Sequence, residues 1–470
     1  MWQRDNHRMA FAFRFRMCKV SAAFASRAAC LATTACLVTP LCLAACAAPA
    51  HGQATIKTEV KQVLVPVVVT DKSGHYITGL HVSDFHIAED AIPQTIASFA
   101  VSSSPHQLLG APEAWIPPAG SENGAFKTGG AGNSSPRRTY LVCIDTLHST
   151  FSNFGRVRDA LKKLFQNESA GESQYALIAL GRQPHVIQDS TRDPKAVLTT
   201  IASSNFMKTV VDTESAKLAN DIQQFTYFMR DIYCTWCACD AFNTADSPRC
   251  PAAQTQLQAY LLRSGERTRI LDEGFYQALQ QLLSAMATMP TTRTVVFISD
   301  GFNRFPGREL YAVMSGFAPK DHRFEFNPRD MDDRLQNVLK IAVDHDIRFY
   351  TIDSRGLYTG ASLGGSTFDA STDQGAHVPQ RVDFDRMTVA HENTDALATL
   401  ARDTGGLFFE NNNDLLKGIK RAFADGRDYY LLSYIPKNKL EDGTFRHILV
   451  QVSNKKWRVN AKAGYWAPKR

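Results

Sequence analysis

Strand-like and helix-like stretches alternate from residue 139 to 426, and the alternation predicts an α/β fold with a doubly wound, mainly parallel sheet. Two further observations sharpen this expectation. The apolar runs Tyr140-Leu-Val-Cys-Ile-Asp145 and Arg293-Thr-Val-Val-Phe-Ile-Ser-Asp300 are short, rich in β-branched residues and end on a carboxylate. Each reads as a buried parallel strand delivering Asp to the edge where open α/β sheets hold ligands. Strand-like segments also stand at 55–101 and 427–470, so the α/β domain is expected to sit between the halves of a small β-sandwich.

Residues 1–54 read as a leader. Arg4, Arg8, Arg14, Arg16, Lys19 and Arg27 precede an Ala/Leu/Cys-rich run from Ala28 to Ala48, the layout of a secretory signal. Leu43-Ala-Ala-Cys46 matches a lipobox, which would place a lipid anchor on Cys46. Cleavage after Ala54 would release a periplasmic or extracellular protein instead. A retained membrane anchor is the third outcome, and Pro40 and the Ala-rich composition disfavour it.

The N-terminal β segment is expected to hold strands at 63–70, 85–88 and 94–99, with a turn at Lys72-Ser-Gly74. Residues 102–138, rich in Gly, Ser and Pro, read as a linker. Within 139–426, strands are expected at 139–145, 174–181, 184–188, 293–299, 347–353 and 406–410. Helices are expected near 153–167, 193–203, 267–287, 330–345, 391–403 and 413–425. Two insertions, 205–264 with its cysteines and the Gly/Ser-rich 355–388, interrupt the pattern. Strand character returns at 429–435, 445–452 and 457–461.

Composition removes one class of partner. Of the net charge of +6, residues 1–54 supply +5, with six basic residues against Asp5, which leaves the remainder near neutral. A nucleic-acid partner needs a concentrated basic face and finds none in this balance.

Two carboxylates brought to one sheet edge repel each other unless a cation or hydrogen-bond donors neutralise them, and Mg²⁺ is the common solution. At these residues the chain resembles the von Willebrand factor A (VWA) domain, and in particular its VWFA-related acidobacterial group. The resemblance extends through Val65-Pro-Val-Val-Val-Thr-Asp71, Phe349-Tyr-Thr-Ile-Asp-Ser-Arg-Gly-Leu357, Thr404-Gly-Gly406 and Gly464-Tyr-Trp-Ala-Pro468. It implies a metal-ion-dependent adhesion site in which Asp145, Ser149, Thr268 and Asp300 hold Mg²⁺ or Mn²⁺, with Thr209 and Thr213 as rivals to Thr268. A vacant coordination position on that ion would accept a carboxylate from the partner. Leu147 departs from the D-x-S-x-S pattern of the family and removes one hydroxyl ligand.

Bland readings stand beside these. Asp145 and Asp300 are also suited to capping the helices that follow them. His148 reads as a nitrogen ligand or, more simply, as a solvent-facing loop residue, and Asp353 as a turn residue. Cys234, Cys237, Cys239 and Cys250 read as two local disulfides of an exported protein, with a zinc site or a redox motif as alternatives. Cys143, inside the first strand, reads as an inert core thiol. No G-x-S-x-G, H-E-x-x-H or Walker loop occurs. The expected function is a non-catalytic, exported module that binds a protein or an envelope component, with a metal-free envelope scaffold as the alternative.

Overall fold

The computed structural model describes residues 62–102, 138–239, 246–318, 331–357 and 380–469, with side chains from 387 onward in the last stretch. The leader with Cys46, nearly all of the expected linker and much of the 355–388 insertion fall outside the described residues.

Along the chain, β1 (Val63–Thr70), β2 (Phe85–Glu89), β3 (Ile92–Gln94) and β4 (Ile96–Val101) are followed by β5 (Arg138–Asp145) and α1 (Phe151–Asn167). Next come β6 (Ser173–Leu180), β7 (Pro184–Thr191), α2 (Pro194–Ala202) and the short α3 (Phe206–Thr209). Helix α4 (Thr213–Phe228) runs through a π turn, Met229–Tyr233, into α5 (Cys234–Trp236), and α6 (Cys250–Ala287) follows. The remaining α/β elements are β8 (Thr292–Ser299), α7 (Arg308–Phe317), α8 (Asp332–Asp344), β9 (Ile347–Asp353), α9 (Gln380–Thr404), β10 (Phe408–Phe409) and α10 (Leu415–Arg427). Four strands end the described chain: β11 (Tyr430–Tyr434), β12 (Phe445–Val452), β13 (Arg458–Ala461) and β14 (Gly464–Trp466).

The central sheet has the order β10-β9-β8-β5-β6-β7, parallel except for β7, which pairs antiparallel with β6. From β5 the chain builds outward through β6 and β7, then returns to start the other half at β8. The topological switch point therefore lies between β5 and β8, and a crevice is expected there at the C-terminal edge. Ile144 faces Ile298 in the register, so Asp145 and Ser299-Asp300 leave the sheet side by side.

Alternate residues of β5 feed two cores, as the period of two requires. Leu141 and Cys143 join Phe275, Leu279 and Leu283 of α6, Leu335 and Leu339 of α8, and Leu397 of α9. Tyr140, Val142 and Ile144 join Phe154, Val157 and Leu161 of α1, Val197 of α2, and Ile419 and Phe423 of α10. Each such side chain, fully buried, contributes roughly 1.5–3 kcal/mol.

The end segments form two four-stranded antiparallel sheets, β13-β1-β11-β4 and β14-β12-β2-β3, each drawing strands from both ends of the described chain. They share one core of Val65, Val67, Phe85, Ile87, Tyr430, Leu432, Ile448 and Val450. Lys462 Nζ meets Asp346 Oδ1 at 2.6 Å, and Asn460 Nδ2 donates to the Gly405 carbonyl at 2.9 Å, so this part touches the α/β body. A Cβ at Gly406 would collide with the Phe349 carbonyl, which explains the Gly405-Gly406 pair where α9 turns down onto β9.

Several expectations need adjustment. The 267–287 helix begins much earlier, at Cys250, and the 205–264 insertion is largely helical. Helix α7 was not anticipated, although Leu310, Val313, Met314 and Phe317 carry the i, i+3, i+4, i+7 spacing. Strand 406–410 contracts to two residues, and β14 adds a strand after 457–461.

Candidate functional site

The site grows from the turn that follows β5. Asp145 is fully buried, and its Oδ1 accepts the backbone N–H groups of Leu147 and His148, each at 3.0 Å. Its Oδ2 accepts the Ser299 hydroxyl from the neighbouring strand at 2.6 Å. The turn swings the Leu147 side chain into the core on the α6 face, where it is 1 % exposed. An apolar residue stands at this position because the position is packed.

His148 is not the solvent-facing loop residue expected; its side chain is 6 % exposed. Nδ1 lies 3.0 Å from Asp145 Oδ2, and Nε2 lies 2.9 Å from Asp272 Oδ1 on α6. The edge of Phe275 meets the ring at a centroid distance of 4.6 Å. A neutral imidazole has one N–H, whereas two ionised carboxylates at the two nitrogens call for two donors. Burial works against the charged ring, but Asp145 and then Asp272 outweigh it and push the His148 pKa up to about 10. Burial also raises the pKa of Asp272, against the opposing pull of His148 and Asn303, whose Nδ2 donates to Asp272 Oδ2 at 3.1 Å.

Asp300 caps a helix, though not one that follows it. Its Oδ2 accepts the Thr150 N–H at 2.9 Å and the Thr150 hydroxyl at 3.2 Å, at the N-terminus of α1. Asn153 Nδ2 donates to both carboxylate oxygens at 2.9 Å, and the Ser354 hydroxyl donates to Oδ1. Burial raises the Asp300 pKa, while Ser354 and Thr150 act in the opposite direction. The Asp300 N–H in turn donates to Ser149 Oγ at 3.1 Å. Gly301, at φ +102, lets the chain turn away directly after the carboxylate, where an added Cβ would press on Asn393. Asp353 is a turn residue: it accepts the Arg355 N–H at 3.0 Å and holds the guanidinium at 2.9 and 2.8 Å.

Asp145, Ser149 and Asp300 thus come together at the edge. Thr268 lines the same cleft, but its hydroxyl donates to the Ser264 carbonyl of its own helix at 2.9 Å. Thr209 bonds the Phe206 carbonyl, and neither it nor Thr213 lines the two clefts that meet at Asp300. Sequence reasoning missed Asp272, one turn beyond Thr268. Its signal was a carboxylate at a core position, in register with Phe275, Leu279 and Leu283.

The arrangement does not suit a hard divalent ion. Every carboxylate oxygen of Asp145 and Asp300 already has at least two hydrogen-bond contacts, which fills the roughly four acceptor sites of each carboxylate. Mg²⁺ requires near-octahedral oxygen ligation, and Leu147 offers no oxygen in its side chain.

Two clefts of about 240 and 990 Å³ flank the Ser149-Thr150 turn. One wall belongs to α4, whose Ser215 hydroxyl donates to the Ser149 carbonyl at 3.3 Å. Phe151 and Leu357, 61 % and 63 % exposed, line the wider cleft. Disulfide Cys237–Cys250 joins the segment after α5 to the start of α6, and Cys234–Cys239 closes a short loop from α5 into that segment. Among the described residues, three metal-ligating side chains converge only at Cys237, Asp246 and Cys250, where both sulfurs are already joined. Cys143 is free and buried, and burial raises its pKa well above the ordinary thiol value.

No described helix is long and apolar enough to cross a membrane. No family model matches the chain, and no curated protein matches it. Solved structures with some likeness include the conserved hypothetical protein BatB from Bacteroides thetaiotaomicron, at 9% identity and TM-score 0.27 over 61% of this chain and 98% of that one. The vWF domain of the type V pili tip protein Mfa5 from Porphyromonas gingivalis shows 9% identity and TM-score 0.27 over 66% and 99%. The pilus adhesin SpaC from Lactobacillus rhamnosus GG shows 9% identity and TM-score 0.30 over 72% and 44%. At scores this low the likenesses carry no argument about what the chain does.

Proposed function

We propose that this chain is an exported, non-catalytic binding module of the VWA type, whose C-terminal sheet edge contacts a protein or another component of the cell envelope. The observation that carries the reading is the convergence of Asp145, Ser149 and Asp300, from strands far apart in sequence, on the switch-point edge of one parallel sheet. Ligands of open α/β sheets lie in that crevice. The exposed Phe151 and Leu357 beside it offer apolar area to a partner. Export is supported by the leader pattern and by two disulfides, which persist in oxidising compartments. The non-catalytic part rests on the sequence, which carries no G-x-S-x-G, H-E-x-x-H or Walker loop, and on the full burial of Ser299 and Asp145.

The test uses the protein immobilised through its sandwich and an envelope fraction from its own source. Phe151→Asp and Leu357→Asp should each lower retention of the bound component about tenfold or more, as loss of a central apolar anchor does. The control, Leu449→Asp on the sandwich, should leave retention unchanged. Equal retention by all three variants would remove the edge as the binding face. A metal-free envelope scaffold is the second reading, and the buried Leu147 favours it.

A further inference from the structure

The motif at this edge lacks a hydroxyl, and in its place stands a ring. We infer that the His148 side chain occupies the position a divalent ion would need, so that the face works without metal and without an ion-bound partner carboxylate. This rests on the binding reading above for the face itself, and on independent geometry for the ion.

Three observations converge. The ring bridges Asp145 and Asp272 at 3.0 and 2.9 Å, spanning the space between the first strand's carboxylate and α6. Phe275 packs edge-on against it, so the ring is held by apolar contact as well as by its nitrogens. The groups that would complete an oxygen cage are turned to other tasks: Leu147 lies in the core, the Thr268 hydroxyl bonds its own helix, and Ser149 Oγ accepts the Asp300 N–H. Asp300 is itself spent on Thr150, Asn153 and Ser354. An acidic partner side chain finds no ion to bind at these saturated carboxylates. Recognition shifts to the lining of the wider cleft, which joins the apolar Phe151 and Leu357 to Ser215 and to the guanidinium groups of Arg156 and Arg355.

The full-length purified protein, dialysed against EDTA, is titrated with Mn²⁺ alone, and bound ion is read by electron paramagnetic resonance alongside the melting temperature. The wild type should bind no Mn²⁺ and melt at the same temperature throughout. Uptake of one Mn²⁺ that Asp145→Asn abolishes would overturn the inference. His148→Ala and Leu147→Ser/His148→Ala are measured in parallel, so that one soluble variant suffices. Gain of Mn²⁺ binding in either supports the inference; at an ion concentration about a hundredfold above Kd, the folded-to-unfolded ratio should rise about 100-fold. If the soluble variants still bind none, the ring is not what excludes the ion and the inference falls. Failure of the binding reading is distinguishable, because it is read from retention by the Phe151 and Leu357 variants, which leave the Mn²⁺ signal unchanged.

Discussion

Removal of the His148 ring leaves Asp145 and Asp272, 0 % and 1 % exposed, facing each other without the group between them. The two carboxylates do not suffer equally. Asp145 retains two backbone N–H donors and the Ser299 hydroxyl, whereas Asp272 retains Asn303 as its one side-chain donor among the described residues. Breaking a buried ion pair by deleting one partner costs about 3–5 kcal/mol. The lost edge contact with Phe275 adds about 0.5–1.5 kcal/mol. We therefore expect His148→Ala to lower the unfolding free energy by about 4–6 kcal/mol in urea titration, most of it through Asp272. Asp272→Asn removes the stranded charge, so the double variant should be markedly less destabilised than the two single effects combined. The cycle should give a coupling of about 1–3 kcal/mol. A His148→Ala loss below about 1 kcal/mol, or a cycle additive within about 0.5 kcal/mol, would refute the ion-pair account of the site.

The same pair sets a pH dependence. With the folded His148 value near 10 and the ordinary value 6.5, its contribution is fully present below about pH 6.5 and is lost as pH rises through about 10. Urea titrations at pH 7 and pH 10 should lose more stability in the wild type than in His148→Ala; equal losses would contradict the assignment. Replacing Cys237 and Cys250 by Ser opens a link spanning 13 positions, for which chain entropy gives about 3 kcal/mol. Hydrogen exchange should then accelerate in α4 and the start of α6 while β5 and β8 stay protected. Gly406→Ala should destabilise by more than about 1–3 kcal/mol, because the obstacle is the Phe349 carbonyl and not a movable side chain; a soluble variant with wild-type melting temperature would disprove that close approach.

Much of the fold is written in local pattern. The buried strands β5, β8 and β9 announce themselves as apolar runs ending on Asp, Ser-Asp and Asp, and their hydrophobic period specifies the two cores. Asp145 and Asp300 were legible as the ends of two apolar runs, and Ser149 through the resemblance to the VWA motif. The pairing of His148 with Asp272 was not, because it depends on which helix covers the edge; Asp272 showed only as a carboxylate in the apolar register of α6. Their spacing of 124 positions carries no periodic signal. Helix α7 was missed although its apolar spacing is local: it opens behind Gly307, at φ +82, in the stretch between the expected strand 293–299 and the expected helix 330–345.

The interleaved sandwich has a consequence for how the molecule comes into being. Val63 pairs with Tyr434 and Phe85 with Val452, so β1 and β2 have no partner from β11 or β12 until residues 430–452 have emerged. The parallel sheet can close on itself earlier, since every one of its strands lies between these segments. Nascent chains must therefore carry exposed, β-branched edges through most of their synthesis, a state open to mispairing. Loss of β11 and β12 by truncation would strand β1, β2 and β4, and damage to one segment would be felt in the other.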